Sequence, residues 1–275
     1  NDFPQVNLIA NTENRGFGAA NNQAYNIAKG DYFILLNPDT IIKPSAIDNS
    51  IRFMQSHPKC GLCGGRLIKP DGELDPSARR FPNSWFKLLT LSGLSDCFSS
   101  SSFFNSYNFG GFDHQSAIEV DWVPGTYTVY RRALLQQVGM FDERFYLYYE
   151  ETDLCLRAKR VGWKIFFIPD AEVVHVGGAS SKTRKDLQFD AAGSQVLKFR
   201  LRSELLYFRK NYGLVSLLAN AGVEMGWHLL RYLVNLLPRR DQNKDKRTYS
   251  FALVKQIICA VKDTHWGTVS PPIPW

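Results

Sequence analysis

The chain has 275 residues, of which 44% are hydrophobic and 21% are charged. This balance is typical of a folded globular protein and excludes general disorder, and the length allows one large α/β domain with an appendage. The formal net charge of +7 favours anionic partners such as nucleotide phosphates, lipid phosphates or nucleic acid. The five scattered cysteines are unlike a secreted disulfide framework and indicate a reducing compartment, the cytoplasm.

The first half of the chain alternates between short apolar runs and helical segments. The patterns predict a strand at 6–10, a helix at 19–29, a strand at 32–36 and a helix at 45–56. This alternation predicts a mostly parallel sheet covered by helices. Residues 92–111 are rich in Ser, Phe, Asn and Gly without periodicity, which is typical of a mobile loop.

The second half of the chain returns to regular structure after Val120. We expect a strand at 126–130, helices at 132–138 and 151–161, and a strand at 164–168. Beyond Asn211 the sequence becomes helical and basic. We therefore divide the chain into an α/β domain at 1–211 and a helical, basic region at 212–275.

The first candidate site is the tetrapeptide Asn37-Pro38-Asp39-Thr40, which follows a buried strand directly. A carboxylate at the carboxyl end of a strand is well placed to hold a hard divalent ion against phosphate oxygens. A simple turn would use the same residue types, so the tetrapeptide alone leaves both readings open.

The second candidate site is a group of three acids, Glu150, Glu151 and Asp153, at the start of a predicted helix. The positive end of the helix dipole stabilises negative charge there. Crowded acids raise one another's pKa, which suits a general base that takes a proton from a hydroxyl group. Ordinary capping of the helix is the alternative.

The third candidate is His175, which follows an apolar run and precedes Gly177 and Gly178. A neutral imidazole can bind a transition metal, and the glycines would let backbone amides approach a diphosphate. A histidine satisfied within the core is the alternative.

Taken together, these segments resemble the family 2 glycosyltransferases, especially the bacterial rhamnosyltransferase-like branch, over roughly residues 4 to 212. The matching stretches are NRGFGAANN at 14–22, LLNPDT at 35–40, DGE at 71–73, SARRFP at 77–82, FDERF at 141–145, EETDLCLR at 150–157 and HVGG at 175–178. Several independent motifs in the same order make a coincidence improbable.

The resemblance implies a nucleotide-sugar-binding glycosyltransferase A-type fold, with a Rossmann-like, mostly parallel sheet and a helical C-terminal extension. Because the chain opens just before the third strand of such a fold, we expect the first strands to be missing. Asp39 would bind Mg²⁺ or Mn²⁺ together with His175, while Asn37 replaces the first acid of the family's metal motif. Glu151 aligns with the catalytic base, and Glu150 and Asp153 would support it.

The resemblance also implies the substrates. The donor is expected to be dTDP-rhamnose or a UDP-sugar, and the acceptor a polyprenyl-diphosphate-linked or polysaccharide acceptor in cell-envelope glycan synthesis. The residues expected to bind the donor are Asn14, Gly16, Asn37, Asp39, Arg79 and Arg80, and those expected to shape the acceptor pocket are Trp122 and Gly125. A solvated pair of loop arginines is the alternative for Arg79 and Arg80. The implied reaction is a single displacement that inverts the anomeric configuration.

The segment 214–237 reads as a helix that is mostly apolar. Its narrow polar stripe consists of Ser216, Asn220, Glu224, His228, Arg231 and Asn235. Packing on the catalytic domain and attachment to the inner face of an anionic membrane are the two alternatives. A full span is disfavoured because two of these charges would lie near the middle of the bilayer.

Three further interpretations of the sequence remain. Cys60 and Cys63 have CxxC spacing, but no second pair follows at the distance of a zinc site, so a redox or metal role is disfavoured. The basic cluster 244–247 lacks a recognition motif, so we predict no nucleic-acid partner. A non-catalytic nucleotide- or carbohydrate-binding remnant, in which the acids only cap a helix, is the alternative to the enzyme.

Overall fold

The computed structural model describes residues 3–176, 195–236 and 242–270, which form a seven-stranded sheet and eight α-helices. In chain order the elements are α1 (Phe17–Ile27), β1 (Tyr32–Leu36), β2 (Thr40–Ile42), α2 (Ala46–Ser56), β3 (Cys60–Ile68), β4 (Leu74–Asp75), α3 (Ser84–Leu91), α4 (Leu94–Cys97), β5 (Ile118–Val120), β6 (Tyr127–Arg131), α5 (Arg132–Val138), α6 (Glu150–Arg160), β7 (Lys164–His175), α7 (Gln195–Val234) and α8 (Gln242–Asp263). The expected α/β class with a helical C-terminal region is confirmed.

The sheet has the strand order β1-β6-β3-β7-β2, with β4 added to β3 and β5 added to β7. Within the described residues only β3 and β7 pair in parallel, and the other five pairings are antiparallel. The expectation of a mostly parallel sheet is therefore wrong. An apolar run shows that a strand is buried on both faces, but it carries no information on the direction of its neighbours.

The central strand β3 had no counterpart in the expected elements. Its glycines obscure the strand pattern in the sequence, since glycine is depleted in strands. At Gly65 a Cβ atom would lie 2.1 Å from the carbonyl oxygen of Ala171 in β7, and at Gly64 it would lie 2.7 Å from the Cβ of Val123. These glycines let β3 approach its neighbours closely where any other side chain would clash.

The strand expected at 6–10 is absent, because these residues have no regular structure and pair with no strand among the described residues. Val6 and Leu8 are 63% and 86% exposed. A short apolar run becomes a strand only where a neighbour accepts its backbone hydrogen bonds. The segment 92–111, expected to be a loop, contains α4 and a 3₁₀ turn at Ser106–Asn108.

The helical region begins within α7, which breaks at Gly213, where φ is 84°. The boundary predicted at Asn211 lies two residues before this break and stays a prediction. The C-terminal helices share a hydrophobic core with the sheet domain, in which Phe145 and Leu156 pack with Leu201, Leu205 and Ile257. No helix in the described part of the chain is long and apolar enough to cross a bilayer.

Candidate active site

The site is built around the turn that leaves β1. Leu36, the last residue of β1, pairs with Tyr127 of β6, and the amide of Asn37 donates to the carbonyl of Thr126 at 3.0 Å. The hydroxyl of Thr40 donates back to the carbonyl of Asn37 at 2.6 Å and closes the turn. The tetrapeptide therefore lies beside Thr126, directly after the segment 122–125 that the resemblance assigns to the acceptor pocket.

Asp39 is held at the centre of this turn with its side chain only 6% exposed. Its Oδ1 atom is buried and has no hydrogen-bond partner among the described residues. The antiparallel pairing of β2 with β7 sets Thr40 opposite His175, so the imidazole Nε2 lies 3.9 Å from this oxygen. The structure thus brings the two predicted metal ligands together from positions far apart in the chain.

Asp75 completes the arrangement from the opposite side of the imidazole. Its Oδ2 lies 3.0 Å from Nδ1 of His175. A carboxylate that accepts the Nδ1 proton leaves the lone pair on Nε2, facing Asp39, which is how proteins commonly orient metal-binding histidines. Sequence reasoning missed Asp75, because nothing in the sequence links it to a histidine 100 residues away.

The donor atoms fit a divalent ion. An unpartnered buried carboxylate oxygen and an oriented imidazole nitrogen suit Mn²⁺ better than Mg²⁺, which prefers oxygen ligands alone. Within the described ranges no cluster of three or more His, Cys, Asp or Glu residues could hold a metal ion. Further ligands would therefore come from diphosphate oxygens or water. Gly177 and Gly178, expected near the diphosphate, lie outside the described residues.

The acid pair Glu150 and Glu151 opens α6, directly after two tyrosines in an unusual conformation. Tyr148 and Tyr149 have φ values of 71° and 69°, in the left-handed region that non-glycine residues avoid. The ring of Tyr149 packs 5.2 Å from that of Tyr207 on α7, which helps to hold the turn. Local strain of this kind is found mainly where the surrounding structure fixes a functional geometry.

Both glutamates carry a buried oxygen, Oε2, without a hydrogen-bond partner among the described residues. Burial, followed by repulsion from Glu151, raises the pKa of Glu150 well above its ordinary value. Burial also raises the pKa of Glu151, and backbone amides, including that of Gly125, partly offset this effect. Glu151 therefore reaches the acceptor segment with a carboxyl group that accepts protons more readily than an exposed one.

Asp153 does not join this pair in any described contact, although it was expected to support the base. Its fully buried carboxylate accepts from Arg157 at 2.8 Å, from Lys210 at 2.7 Å and from the side-chain amide of Asn211 at 2.9 Å. Both of its oxygens are therefore engaged in binding α6 to α7. Residues two apart on a helix lie on nearly opposite faces, so Asp153 and Glu151 face different neighbours.

The two arginines differ in their surroundings. Arg79 is largely buried and donates to Oδ1 of Asn108 at 2.5 Å, and it lies 5.9 Å from the ring centre of Tyr107. Burial lowers the pKa of Arg79, against the opposing effects of Tyr107 and Asp75. Arg80 is exposed and lies over the ring of Phe109 at 4.8 Å. Of the two, Arg79 interacts electrostatically with Asp75, the carboxylate that contacts His175.

Tyr107 is a further residue that the sequence did not single out. Burial, with Glu204 and Glu151 acting against Arg79, raises the pKa of Tyr107 to about 12. Tyr107 therefore interacts electrostatically with both Arg79 and Glu151. The segment 92–111 thus supplies a hydroxyl group whose surroundings include a predicted donor-binding residue and the predicted base.

Trp122 and Gly125, expected at the acceptor, lie on the segment between β5 and β6. The indole nitrogen of Trp122 donates to the carbonyl of Arg80 at 2.9 Å. A Cβ atom at Gly125 would lie 3.2 Å from Cδ2 of Leu35 and 3.5 Å from the ring of Phe17. The glycine thus allows its backbone to sit close to β1, where its amide reaches Glu151.

Asn14 and Gly16 form the turn into α1. The side chain of Asn14 accepts from the amide of Gly16 at 3.0 Å, and Gly16 has a φ of 84°. A Cβ atom there would lie 2.6 Å from the carbonyl oxygen of Tyr146. These contacts account for both residues through the local backbone, and their role in donor binding stays a prediction.

The sequence was compared with protein families and with known proteins. Residues 1–139, just over half of the chain, match the family described as Glycosyl transferase family 2. An N-acetylglucosaminyl-diphospho-decaprenol L-rhamnosyltransferase from Mycobacterium tuberculosis is 31% identical over 186 residues, which are 63% of this chain and 59% of that protein. Rhamnosyltransferase WbbL from Escherichia coli is 29% identical over 58% of this chain and 60% of its own length.

Among solved structures, a mannosyltransferase from Pyrobaculum calidifontis in complex with GDP-Man and Mn²⁺ is 13% identical, with a TM-score of 0.47, and the match covers 95% of this chain and 70% of that one. This likeness is too weak to establish a shared fold. The chain spans about three fifths of the length of the rhamnosyltransferases it matches. The family match, over more than half of the sequence, is decisive: the chain belongs to glycosyl transferase family 2.

Proposed function

We propose that the protein is an inverting, metal-dependent glycosyltransferase that transfers rhamnose from a nucleotide diphosphate to a lipid-linked or polysaccharide acceptor in cell-envelope glycan synthesis. The observation that carries this proposal is the buried, unpartnered Oδ1 of Asp39, 3.9 Å from an imidazole nitrogen that Asp75 orients. A buried carboxylate oxygen without a partner is costly, so a ligand that contacts it accounts for its retention.

In the proposed reaction Glu151 takes the proton from the acceptor hydroxyl as the hydroxyl oxygen attacks the anomeric carbon. The bond from that carbon to the diphosphate oxygen breaks on the opposite face, and the configuration inverts. A divalent ion, when bound by Asp39 and His175, would supply positive charge for the departing diphosphate. The raised pKa of Glu151 suits a base that works near neutral pH.

The substrates are proposed from the relatives. Two similar proteins are named as rhamnosyltransferases, and the name of one specifies a diphospho-decaprenol acceptor. We accordingly propose dTDP-rhamnose as the donor, with a UDP-sugar as the second choice, and a polyprenyl-diphosphate-linked glycan as the acceptor. All five cysteines are free thiols, which supports the proposed cytoplasmic location.

The test is calorimetric titration of dTDP-rhamnose and UDP-sugars into the chain with and without Mn²⁺, alongside a version extended upstream. We expect metal-dependent binding that Asp39→Ala abolishes, whereas Asp48→Ala, at an exposed position on α2, retains it. A radiolabelled donor then measures transfer. If neither form binds a nucleotide sugar, the non-catalytic remnant is the better explanation.

A further inference from the structure

The second half of α7, from Leu214 to Val234, has its polar side chains on the inside. Asn220, Glu224 and His228, which recur every four residues and so share one helix face, are only 2%, 3% and 4% exposed. An amphipathic helix on a water-soluble protein normally buries its apolar face. Here these polar residues share the buried face with Leu217, and most of the leucines and valines remain exposed on the other face.

The inward orientation is held by ion pairs. The carboxylate of Glu224 lies 2.5 Å from Nζ of Lys87 on α3 and 2.7 Å from Nη2 of Arg200. Burial alone would raise the pKa of Glu224, but these two cations lower it to about 2. Asn220 donates to Glu204 at 2.8 Å. Rotating the helix to bury its leucines would break all these contacts, so the polar face is fixed inward.

The opposite face of this segment is apolar and exposed. The exposed residues are Leu214, Val215, Leu218, Leu229, Leu230, Leu233, Val234 and Leu236, with exposed fractions from 40% to 81%. Among the described residues 214–236 the only charged ones are Glu224, which is buried, and Arg231, which is half-buried. We call these eight side chains the outer face of α7. A patch of this length on a protein surface marks an interaction site.

The neighbouring helix α8 extends this face with a basic border. Phe251 lies 5.5 Å, ring to ring, from Tyr232 of α7 and is 45% exposed. Lys255, Ile258 and Lys262 follow Phe251 at helical spacing, so the four share one exposed side of α8. Two lysines beside exposed apolar side chains are the pattern of a helix whose cationic heads reach lipid phosphates while its apolar groups enter the bilayer.

We propose that the outer face of α7 lies in the surface of an anionic lipid bilayer, with Lys255 and Lys262 of α8 against the headgroups. The helix lies in the plane of the membrane, since Glu224 and its partners bind its other side to the protein. The net charge of +7 complements such a surface. This deepens the proposed function, because it would bring the site to a lipid-linked acceptor, but lipid binding can be measured without donor, metal or acceptor.

The experiment is flotation of the purified chain with vesicles made of equal parts phosphatidylglycerol and phosphatidylcholine, compared with vesicles of phosphatidylcholine alone. We expect stronger binding to the anionic vesicles, and weaker binding at high salt. The double variant L229S/L233S should reduce partitioning at least tenfold, since each leucine withdrawn from lipid forfeits about one to two powers of ten in the binding constant. The matched control is Val161→Ser, which alters an equally exposed apolar residue at the end of α6.

A second variant, K255E/K262E, keeps the outer face of α7 but reverses the charge of the two lysines beside it. It should lose the preference for anionic vesicles, whereas the control Lys29→Glu should keep it. Thermal melting of each variant checks that the fold is kept. Equal flotation of L229S/L233S and Val161→Ser would overturn the proposal. So would a chain that ignores vesicles and dimerises through this face by light scattering, in which case Gly222 and Gly226, exposed on it, would be the contact between copies.

Discussion

Buried carboxylates occur in two regions of the molecule under opposite conditions. In the candidate active site, Asp39, Glu150 and Glu151 each keep a buried oxygen that contacts no hydrogen-bond donor in the described part of the chain. Between α3 and α7, Glu204 and Glu224 each contact the same two cations, Lys87 of α3 and Arg200 of α7. The first group is unsatisfied and the second is fully paired.

The difference indicates which buried carboxylates serve a function and which stabilise the fold. A buried pair of opposite charges is stable once formed and expensive to break, so it serves as a cross-link between helices. A buried carboxylate without a partner destabilises the free protein, and its retention is explained by a ligand or a proton that arrives later. The comparison therefore predicts that variants of Asp39, Glu150 and Glu151 change activity more than stability. Variants of Glu204 and Glu224 should change stability more than activity.

The largest effect is expected from Glu151→Gln, which removes the proposed base and keeps its shape. Transfer should fall by about 10²–10⁴-fold in kcat, as is typical for loss of a general base, while donor binding and melting temperature hold or improve. The measurement is transfer from radiolabelled donor at saturation. Glu143→Gln, whose side chain is 51% exposed, is the matched control. A Glu151→Gln rate equal to that of the wild type would rule out this base.

The next effect is on stability. Glu224→Ala leaves Lys87 and Arg200 with one fewer partner in a buried site and should lower the free energy of unfolding by about 3–5 kcal/mol. Glu73→Ala, which breaks an exposed pair with Lys69, should cost about 0–1 kcal/mol. Urea denaturation measures both.

The pH dependence of the same variant gives a second check. The folded pKa of Glu224 is about 2, below its ordinary value of 4.5, so its contribution is present above pH 4.5 and is lost as the pH falls towards 2. The wild type should lose stability across this window by more than Glu224→Ala does. Parallel curves for the two proteins would contradict the pairing.

A smaller effect is expected at Asp75. Asp75→Asn keeps the shape of the side chain but removes the carboxylate that orients His175, and Mn²⁺-dependent binding of the nucleotide diphosphate should weaken by about 10–100-fold. Asp71→Asn, on the same hairpin but exposed, should bind like the wild type. Titration of Mn²⁺ at fixed nucleotide distinguishes them, and unchanged affinity in Asp75→Asn would remove its orienting role.

The smallest expected effect is a gain of stability in Glu150→Gln. Because the pKa of Glu150 is raised in the folded state, its contribution to stability is present below its ordinary pKa and lost as the pH rises through the folded value. Glu150→Gln removes this loss, so its melting temperature should exceed that of the wild type by about 2–4 °C at pH 8 and match it near pH 4. Calorimetric melting at both values is the measurement. A destabilised variant at pH 8 would mean that the buried oxygen has a partner.

Much of the element order could be predicted because it depends on local patterns. The helices at 19–29, 45–56 and 151–161 and the strand at 32–36 were found within a few residues of α1, α2, α6 and β1. β3 could not be found, since its glycines serve contacts with residues between 59 and 106 positions away. Strand direction likewise depends on pairing that no local pattern encodes.

The candidate site divides in the same way. Asp39, Glu151 and His175 were identifiable because their residue types and motif order are typical of the family. Asp75 and Tyr107 were not identifiable, because their partners are distant in the sequence. Asp75 contacts His175 only in the folded sheet, and Tyr107 interacts with Arg79 and Glu151 only once the segment 92–111 has folded. Asp153, predicted to support the base, instead pairs with Lys210, which lies 57 residues further along the chain and could not be foreseen from the helix pattern.

The sequence by itself determined the amphipathic pattern of 214–237, because its polar stripe recurs with a period near 3.6 residues. Only the tertiary structure decided which face turns inward. The deciding charges are on Lys87 and Arg200, which lie 137 and 24 residues from Glu224. Pairing with these distant cations stabilises the buried carboxylate of Glu224, which keeps the polar face inward and leaves the apolar face exposed.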